Sequence, residues 1–302
     1  MNVSSAAAPQ RANDSLEAPL LACADGKLPP NVALVQLISR AAQREAVERA
    51  LFAALDDFAA RPAAKKRLEA VLALWRETPA AWDTVKEVLS WARHDRVADG
   101  CIHWAAVFDR VAEISPAAGV ALYSLGRPDL LALATASVVQ RLREWNLLGA
   151  DRVVLDLGCG TGRVARAIAP EVGSVVAADI SARMLQRARE YCSAHDNVRL
   201  VQTSGRDLAL FEDGCFDLIS AVDVFPYLVS CEGNLAARHF VEAHRVLKRG
   251  GSLMILNYAY SRDDEPTEVA GLASGAGLKL VRFATNDFEF WDGRTFHLQR
   301  SK

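Results

Sequence analysis

Between Val153 and Ile168 the chain passes from three consecutive apolar residues (Val153, Val154, Leu155) through Asp156 and three alternating glycines (Gly158, Gly160, Gly162) into the helical spacing of Val164, Ala165 and Ile168. An unbroken apolar run of this kind reads as a strand buried on both faces. The strand therefore turns into a helix through a loop with almost no side chains, and backbone left so bare is suited to a close approach by another group.

The spacing separates two kinds of ligand. A dinucleotide fingerprint, G-x-G-x-x-G, would place its third glycine where Arg163 stands, with the pyrophosphate on the helix N-terminus. Here the third glycine comes one residue early. Downstream, Val175 to Ala178 forms a second buried run ending in Asp179, roughly 20 residues beyond the first glycine, where a carboxylate can accept both hydroxyls of a ribose. Helical spacing resumes from Asp179 to Arg189, Val198 to Thr203 reads as a third strand, and a polar turn follows at Ser204 to Leu208. Phe216 to Ala221 reads as a fourth strand, and Arg245 to Gly251 leads into the apolar Ser252 to Leu256.

Together these landmarks resemble the class I S-adenosylmethionine (SAM) dependent methyltransferases, with Asp156-x-Gly158-x-Gly160-x-Gly162 as their first motif. The resemblance implies an α/β fold: a seven-stranded Rossmann-like sheet whose last strand is antiparallel. It implies SAM as cofactor, held by Asp156, Gly158, Cys159, Gly160, Gly162, Asp179, Ile180, Met184, Gly205 and Arg206, with Asp223 and Tyr123 beside the methionine end and the sulfonium. The chain departs from the family at Ser204, where many relatives carry Asp or Asn before the adenine turn. Asp207 suits a turn cap as well as a ligand.

Three segments are expected: a flexible arm over 1–30, an α-helical cap that binds the substrate over 31–149, and the SAM-binding core over 150–302. The arm is rich in Ala, Ser and Pro and ends at Pro29-Pro30. Helical spacing begins at Val32, continues from Val47 to Phe58, and restarts at Thr78-Pro79, read as an N-cap with proline at the first helical position. Further helices are expected over Ile102 to Ile114 and Pro128 to Trp145. Only the polar run Ser261 to Pro266 separates strand five from the next helix, which assigns the substrate cover to the N-terminal helices. Leu278 to Phe283 and Thr295 to Arg300 read as the final strand pair, with Asp292-Gly293 as a hairpin signal. The segment from Phe108 to Gly126 is placed over the cofactor, and Tyr123 is either an aromatic wall for the sulfonium or a packed helix residue. Trp75, Trp82 and Trp91 recur at helical spacing, which favours core packing.

Methyl transfer from SAM asks the protein chiefly to hold two partners in line, with a base only where the acceptor must lose a proton. Asp223 follows strand four and is a candidate for the methionine ammonium or the acceptor; a capping role for the next turn competes with it. Tyr227 could stack on an acceptor. Val224 and Phe225 replace the first residues of the Asn-Pro-Pro-Tyr type motif found in enzymes that methylate nucleobases, which weakens that reading. Among the histidines, His103 is the candidate base, while His239 and His244 read as surface or supporting residues.

A net charge of −2 gives no global sign of a phosphate-binding face, and the clusters Lys65 to Arg67 and Arg141 to Arg143 read as solvated helix faces. The six cysteines form no C-x-x-C or Cys/His cluster, so neither zinc nor a disulfide framework is expected. No apolar run approaches the length of a membrane span and no signal-peptide pattern opens the chain, in keeping with a cytoplasmic enzyme. The favoured function is methylation of an O, N or S atom of a small molecule enclosed by the helical cap. An RNA or protein methyltransferase and a SAM-binding protein without transferase activity remain as alternatives, and the oligomeric state, monomer or homodimer, stays open.

Overall fold

The apolar runs fold as strands because both of their faces are covered. In the computed structural model, which describes residues 15–92, 99–260, 264–285 and 287–302, strands β1 (Val153–Leu157), β2 (Ser174–Asp179), β3 (Val198–Gln202), β4 (Phe216–Val222), β5 (Leu247–Leu256), β6 (Leu278–Ala284) and β7 (Thr295–Arg300) form one sheet. Its order is β3-β2-β1-β4-β5-β7-β6. The first five strands pair in parallel, while β7 inserts antiparallel between β5 and β6. Alternate residues go to opposite layers, as the two-residue period of a strand requires. Val154, Val175 and Leu218 join one apolar cluster; Leu155, Val176 and Ile219 join the other.

Eight helices among the described residues precede β1: α1 (Glu17–Ala24), α2 (Pro30–Arg40), α3 (Arg44–Asp57), α4 (Pro62–Glu77), α5 (Ala81–Trp91), α6 (Gly100–Ile114), α7 (Pro116–Val120) and α8 (Pro128–Glu144). Within and after the sheet come α9 (Arg163–Ile168), α10 (Ala182–Tyr191), α11 (Phe225–Ser230), α12 (Leu235–Val246) and α13 (Glu265–Gly275). Phe240 and Val246 of α12 and Val269 of α13 cover one face of the sheet. Val164 and Ile168 of α9, with Val138 and Leu142 of α8, cover the other.

Three sequence expectations change here. Residues 1–14 of the expected arm lie outside the described residues, but α1 is an ordered helix with Leu20 and Cys23 buried. The segment has the apolar residues to dock, but it is too short for periodicity to announce it. Thr78 ends α4 and α5 begins at Ala81, so Pro79 lies in the turn between two helices. The packing has no break near residue 150, since Leu34, Leu68 and Val85 belong to the same cluster as Val138, Val154 and Val175.

Asn31 ties the N-terminal helices to both ends of the fold. It is 2% exposed, and its amide donates at 2.8 Å to the carbonyls of Tyr123 and Phe290. Asn31→Leu strands two buried acceptors, and we expect a loss of about 1–3 kcal/mol; denaturant unfolding that matches the wild type would show that this stitch is dispensable.

Candidate functional site

Parallel sheets of this order open a crevice beyond the carboxyl ends of the strands where the winding reverses, here between β1 and β4. A cavity lies there, lined by Asp156, Gly158, Cys159 and Gly160 from the end of β1, Asp179, Ile180 and Met184 after β2, Gly205 and Asp207 after β3, and Asp223 and Tyr227 after β4. Asp179 organises the loop. Its Oδ2 accepts from the Gly160 amide and its Oδ1 from the Ser181 amide, both at 2.8 Å. Asp156 accepts from the Ala165 amide at 3.0 Å and so satisfies the first turn of α9.

Burial pushes the Asp156 carboxyl up to about 7, against a smaller opposing pull from the Arg163 guanidinium, and burial likewise raises Asp223 to about 7. A folded carboxyl above its unfolded value holds a proton that the unfolded chain has released. Its contribution to stability is complete below the unfolded value near 3.8 and is lost as pH rises through about 7. We expect the ligand-free protein's unfolding temperature to fall from about pH 5 to about pH 7 and to level off above about pH 8, and Asp156→Asn to make the fall shallower. A flat wild-type profile, or an unchanged slope in Asp156→Asn, would contradict it.

The glycines differ in what they face. A Cβ on Gly158 would collide with Val224, and one on Gly160 would lie 2.5 Å from Val120 Cγ1. Gly162, where a Cβ would meet Cys192 Sγ at 2.8 Å and Ala188 Cβ at 3.2 Å, serves the crossing of α9 and α10 and does not line the cavity.

Helix α6 lies across the cavity and is fastened at both ends. At its N-terminus Asp99 caps Cys101 and Ile102 and pairs with Arg206. One turn before its C-terminus, Asp109 Oδ1 accepts from Ser181 Oγ at 2.6 Å and from the Arg183 amide at 2.9 Å, joining α6 to the start of α10. Between these ties Trp104 and Phe108 meet Tyr227 edge-on, with ring centroids 4.6 and 5.0 Å away.

A second chamber adjoins the first and shares Phe108, Gly119, Val120, Asp223 and Tyr227 with it. Its walls come from α2, α5, α6 and α7, and also from Asn257, Tyr260, Trp291, Asp292 and Arg294. The cover is therefore not left to the N-terminal helices, because the β6–β7 connection and the end of β5 supply one side. Asp223 and Asn257 follow β4 and β5 at matching register, both with left-handed backbone (φ 57° and 64°). Asn257 Nδ2 donates to Asp223 Oδ1 at 2.6 Å, while Asn257 Oδ1 accepts from the Arg294 amide at 3.1 Å.

Comparison with known proteins places this geometry. Residues 154–251 match the family described as a methyltransferase domain. These residues form a methyltransferase domain. A demethylmenaquinone methyltransferase of Tropheryma whipplei (strain Twist) is 38% identical over 113 residues, which is 37% of this chain and 44% of that protein, so the chain spans less than half of that relative's length. Among solved structures, the magnesium protoporphyrin IX methyltransferase of Synechocystis PCC 6803 with bound SAM superposes with TM-score 0.51 at 17% identity, covering 68% of this chain and all of that one. A phosphoethanolamine N-methyltransferase of Haemonchus contortus superposes with TM-score 0.57 at 14% identity, over 67% of this chain and 49% of the other. At these identities the superpositions establish the class I fold.

The expected site residues divide. Asp156, Gly158, Cys159, Gly160, Asp179, Ile180, Met184, Gly205, Asp223 and Tyr227 surround one cavity. Gly162 and Arg206 stand outside its lining, the first in helix packing and the second paired to Asp99. Tyr123 lines the second chamber, stacked on Trp291 at 5.7 Å, with its hydroxyl near Arg163 Nη2 at 3.4 Å. His103 sits on α6 edge-on to Trp104 and lines neither cavity. His239, read from sequence as a surface or supporting residue, is buried and reaches the cavity lining, with Nδ1 at 2.8 Å from the Leu235 carbonyl. Burial lowers its affinity for a proton. Asn257, Tyr260 and Arg294 escaped the sequence reading altogether, and Asp292 was read only as a turn residue.

Proposed function

We propose that the chain is a SAM-dependent methyltransferase whose acceptor is a small molecule enclosed in the second chamber. One observation carries the reading: the cavity at the glycine loop and the chamber under the helices adjoin, with Asp223 and Tyr227 in the lining of both. The residues present suit an adenosyl ligand. The loop is bare, and Asp179 presents a buried carboxylate, already fixed by two amides, to the same cavity as Gly205. When bound, SAM supplies an electrophilic methyl on a positive sulfur, and the electron pair of the breaking bond stays with that sulfur.

The chain's own part is positioning. Asp179 would accept from the ribose hydroxyls, Asp223 would orient the methionine or acceptor end, and Trp104, Phe108 and Tyr227 would exclude water where charge is dispersed. Enclosure by α2, α5, α6 and the 287–294 segment favours a small acceptor over RNA or protein. The relatives' names do not settle that acceptor, because their likeness covers only part of this chain. Calorimetric titration of the purified protein with S-adenosylhomocysteine (SAH) tests the cofactor reading. Saturable one-to-one binding is expected; no heat at saturating ligand, or displacement by NAD, would overturn it.

A further inference from the structure

We propose that the acceptor is an amine on an apolar body, seated with its nitrogen between Asp223 and Asp292; this rests on the methyltransferase reading of the adjoining cavity. The second chamber is divided by polarity. Toward the helices its wall is aliphatic, with Val35, Val88, Leu89 and Val107 on α2, α5 and α6. The same lining carries two carboxyls, Asp223, which also lines the cofactor cavity, and Asp292. They belong to different elements, one after β4 and the other in the β6–β7 connection, and Asn257 links the two by bonding Asp223 and the Arg294 amide.

The guanidinium in the same lining acts on Asp292 through space, without an ion pair to it. Arg294 Nη1 donates to Glu265 Oε2 at 3.0 Å, and Glu265 is 1% exposed. Arg163 turns to the hydroxyls of Thr135 and Tyr123. Among the described residues no ion pair engages Asp223 or Asp292, and both carboxyls line the chamber, Asp223 half-buried and Asp292 exposed at its wall. Two like charges lining one chamber are favoured by a cation beside them. An ammonium brings three donors and a positive charge.

Aromatic rings reinforce the choice of charge. Tyr260 exposes 53% of its surface although it stands in the chamber lining, and its ring lies edge-on to Tyr227 at 6.2 Å. Tyr123 and Trp291, stacked on each other, belong to the same lining. Ring faces and carboxylates together suit an amine and disfavour an anionic acceptor, which would add negative charge to an acidic enclosure. An uncharged hydroxyl would leave the carboxyls without their counter-ion. Before attack the ammonium must lose a proton, and the Asp223 carboxylate is placed to take it.

The test uses three probes with the same apolar body: octylamine, octanol and octanoate, each titrated calorimetrically into the SAH-saturated protein. Octylamine is expected to bind at least about tenfold more tightly than either of the others. Asp292→Asn, which keeps the side-chain volume, is expected to erase that preference, and Asp292→Glu to retain it. With SAH bound normally, equal or tighter binding of octanol or octanoate, binding of none of the three, or an undiminished preference in Asp292→Asn would overturn the acceptor inference alone. Failure of the wild-type protein to bind SAH would overturn the methyltransferase reading and this inference with it.

Discussion

Gly160→Val is expected to leave no calorimetrically measurable affinity for SAH and to lower the unfolding temperature by several degrees. Gly160 has φ +54°, a conformation in which a β-branched residue is strained, and its new Cβ would lie 2.5 Å from Val120 Cγ1. The strain costs about 1–3 kcal/mol, and overpacking adds about 1–3 kcal/mol. The ligand effect has a separate origin. The Gly160 amide is held at 2.8 Å by Asp179 Oδ2, so pushing the loop off Val120 also displaces the carboxylate assigned to the ribose. Adding Val120→Ala separates the two consequences. The double variant should recover part of the lost thermal stability, because the packing conflict is relieved, while the valine still occupies the cradle and SAH still fails to bind. Wild-type affinity in Gly160→Val would remove the loop from the cofactor site.

The centre of the sheet was readable because β1, β2, β4 and β5 are buried on both faces, which writes them as apolar runs, and because the polar residues that end those runs, Asp156, Asp179 and Asp223, fall at the crevice by geometry alone. What escaped depended on contacts between distant segments. Gly162 looks like its two neighbours in sequence, yet it answers to Cys192 and Ala188, a crossing that no local spacing encodes. His103 was attractive as a histidine beside a tryptophan, but its position on α6 keeps it out of the lining of both cavities, while Trp104 and Phe108 on the same helix line the first. The polar end of the second chamber depends on β7 inserting between β5 and β6, which brings Asp292 and Arg294 back beside Asn257. One signal was available. Val222 pairs with Leu256 in adjacent parallel strands, so Asp223 and Asn257 follow at the same level, and two polar residues ending neighbouring buried strands mark a shared site.

Asp179→Ala is expected to weaken SAH binding by about a hundredfold or more, equivalent to about 3 kcal/mol. The carboxylate has two duties. Within the protein it accepts from the Gly160 and Ser181 amides; at 8% exposure these donors would be left in a largely dry site, at about 1–3 kcal/mol each. Toward the cavity it offers its remaining lone pairs to a ribose diol. Asp179→Asn distinguishes these duties. Its single carbonyl oxygen can keep one of the amides, so stability should suffer less than in Asp179→Ala. Its NH2 turns donors toward the ribose hydroxyls and the other amide, so affinity should remain far below wild type. If Asp179→Ala lowered the unfolding temperature while SAH affinity persisted, the residue would be a strut for the glycine loop and the ribose contact would have to be sought elsewhere in the lining.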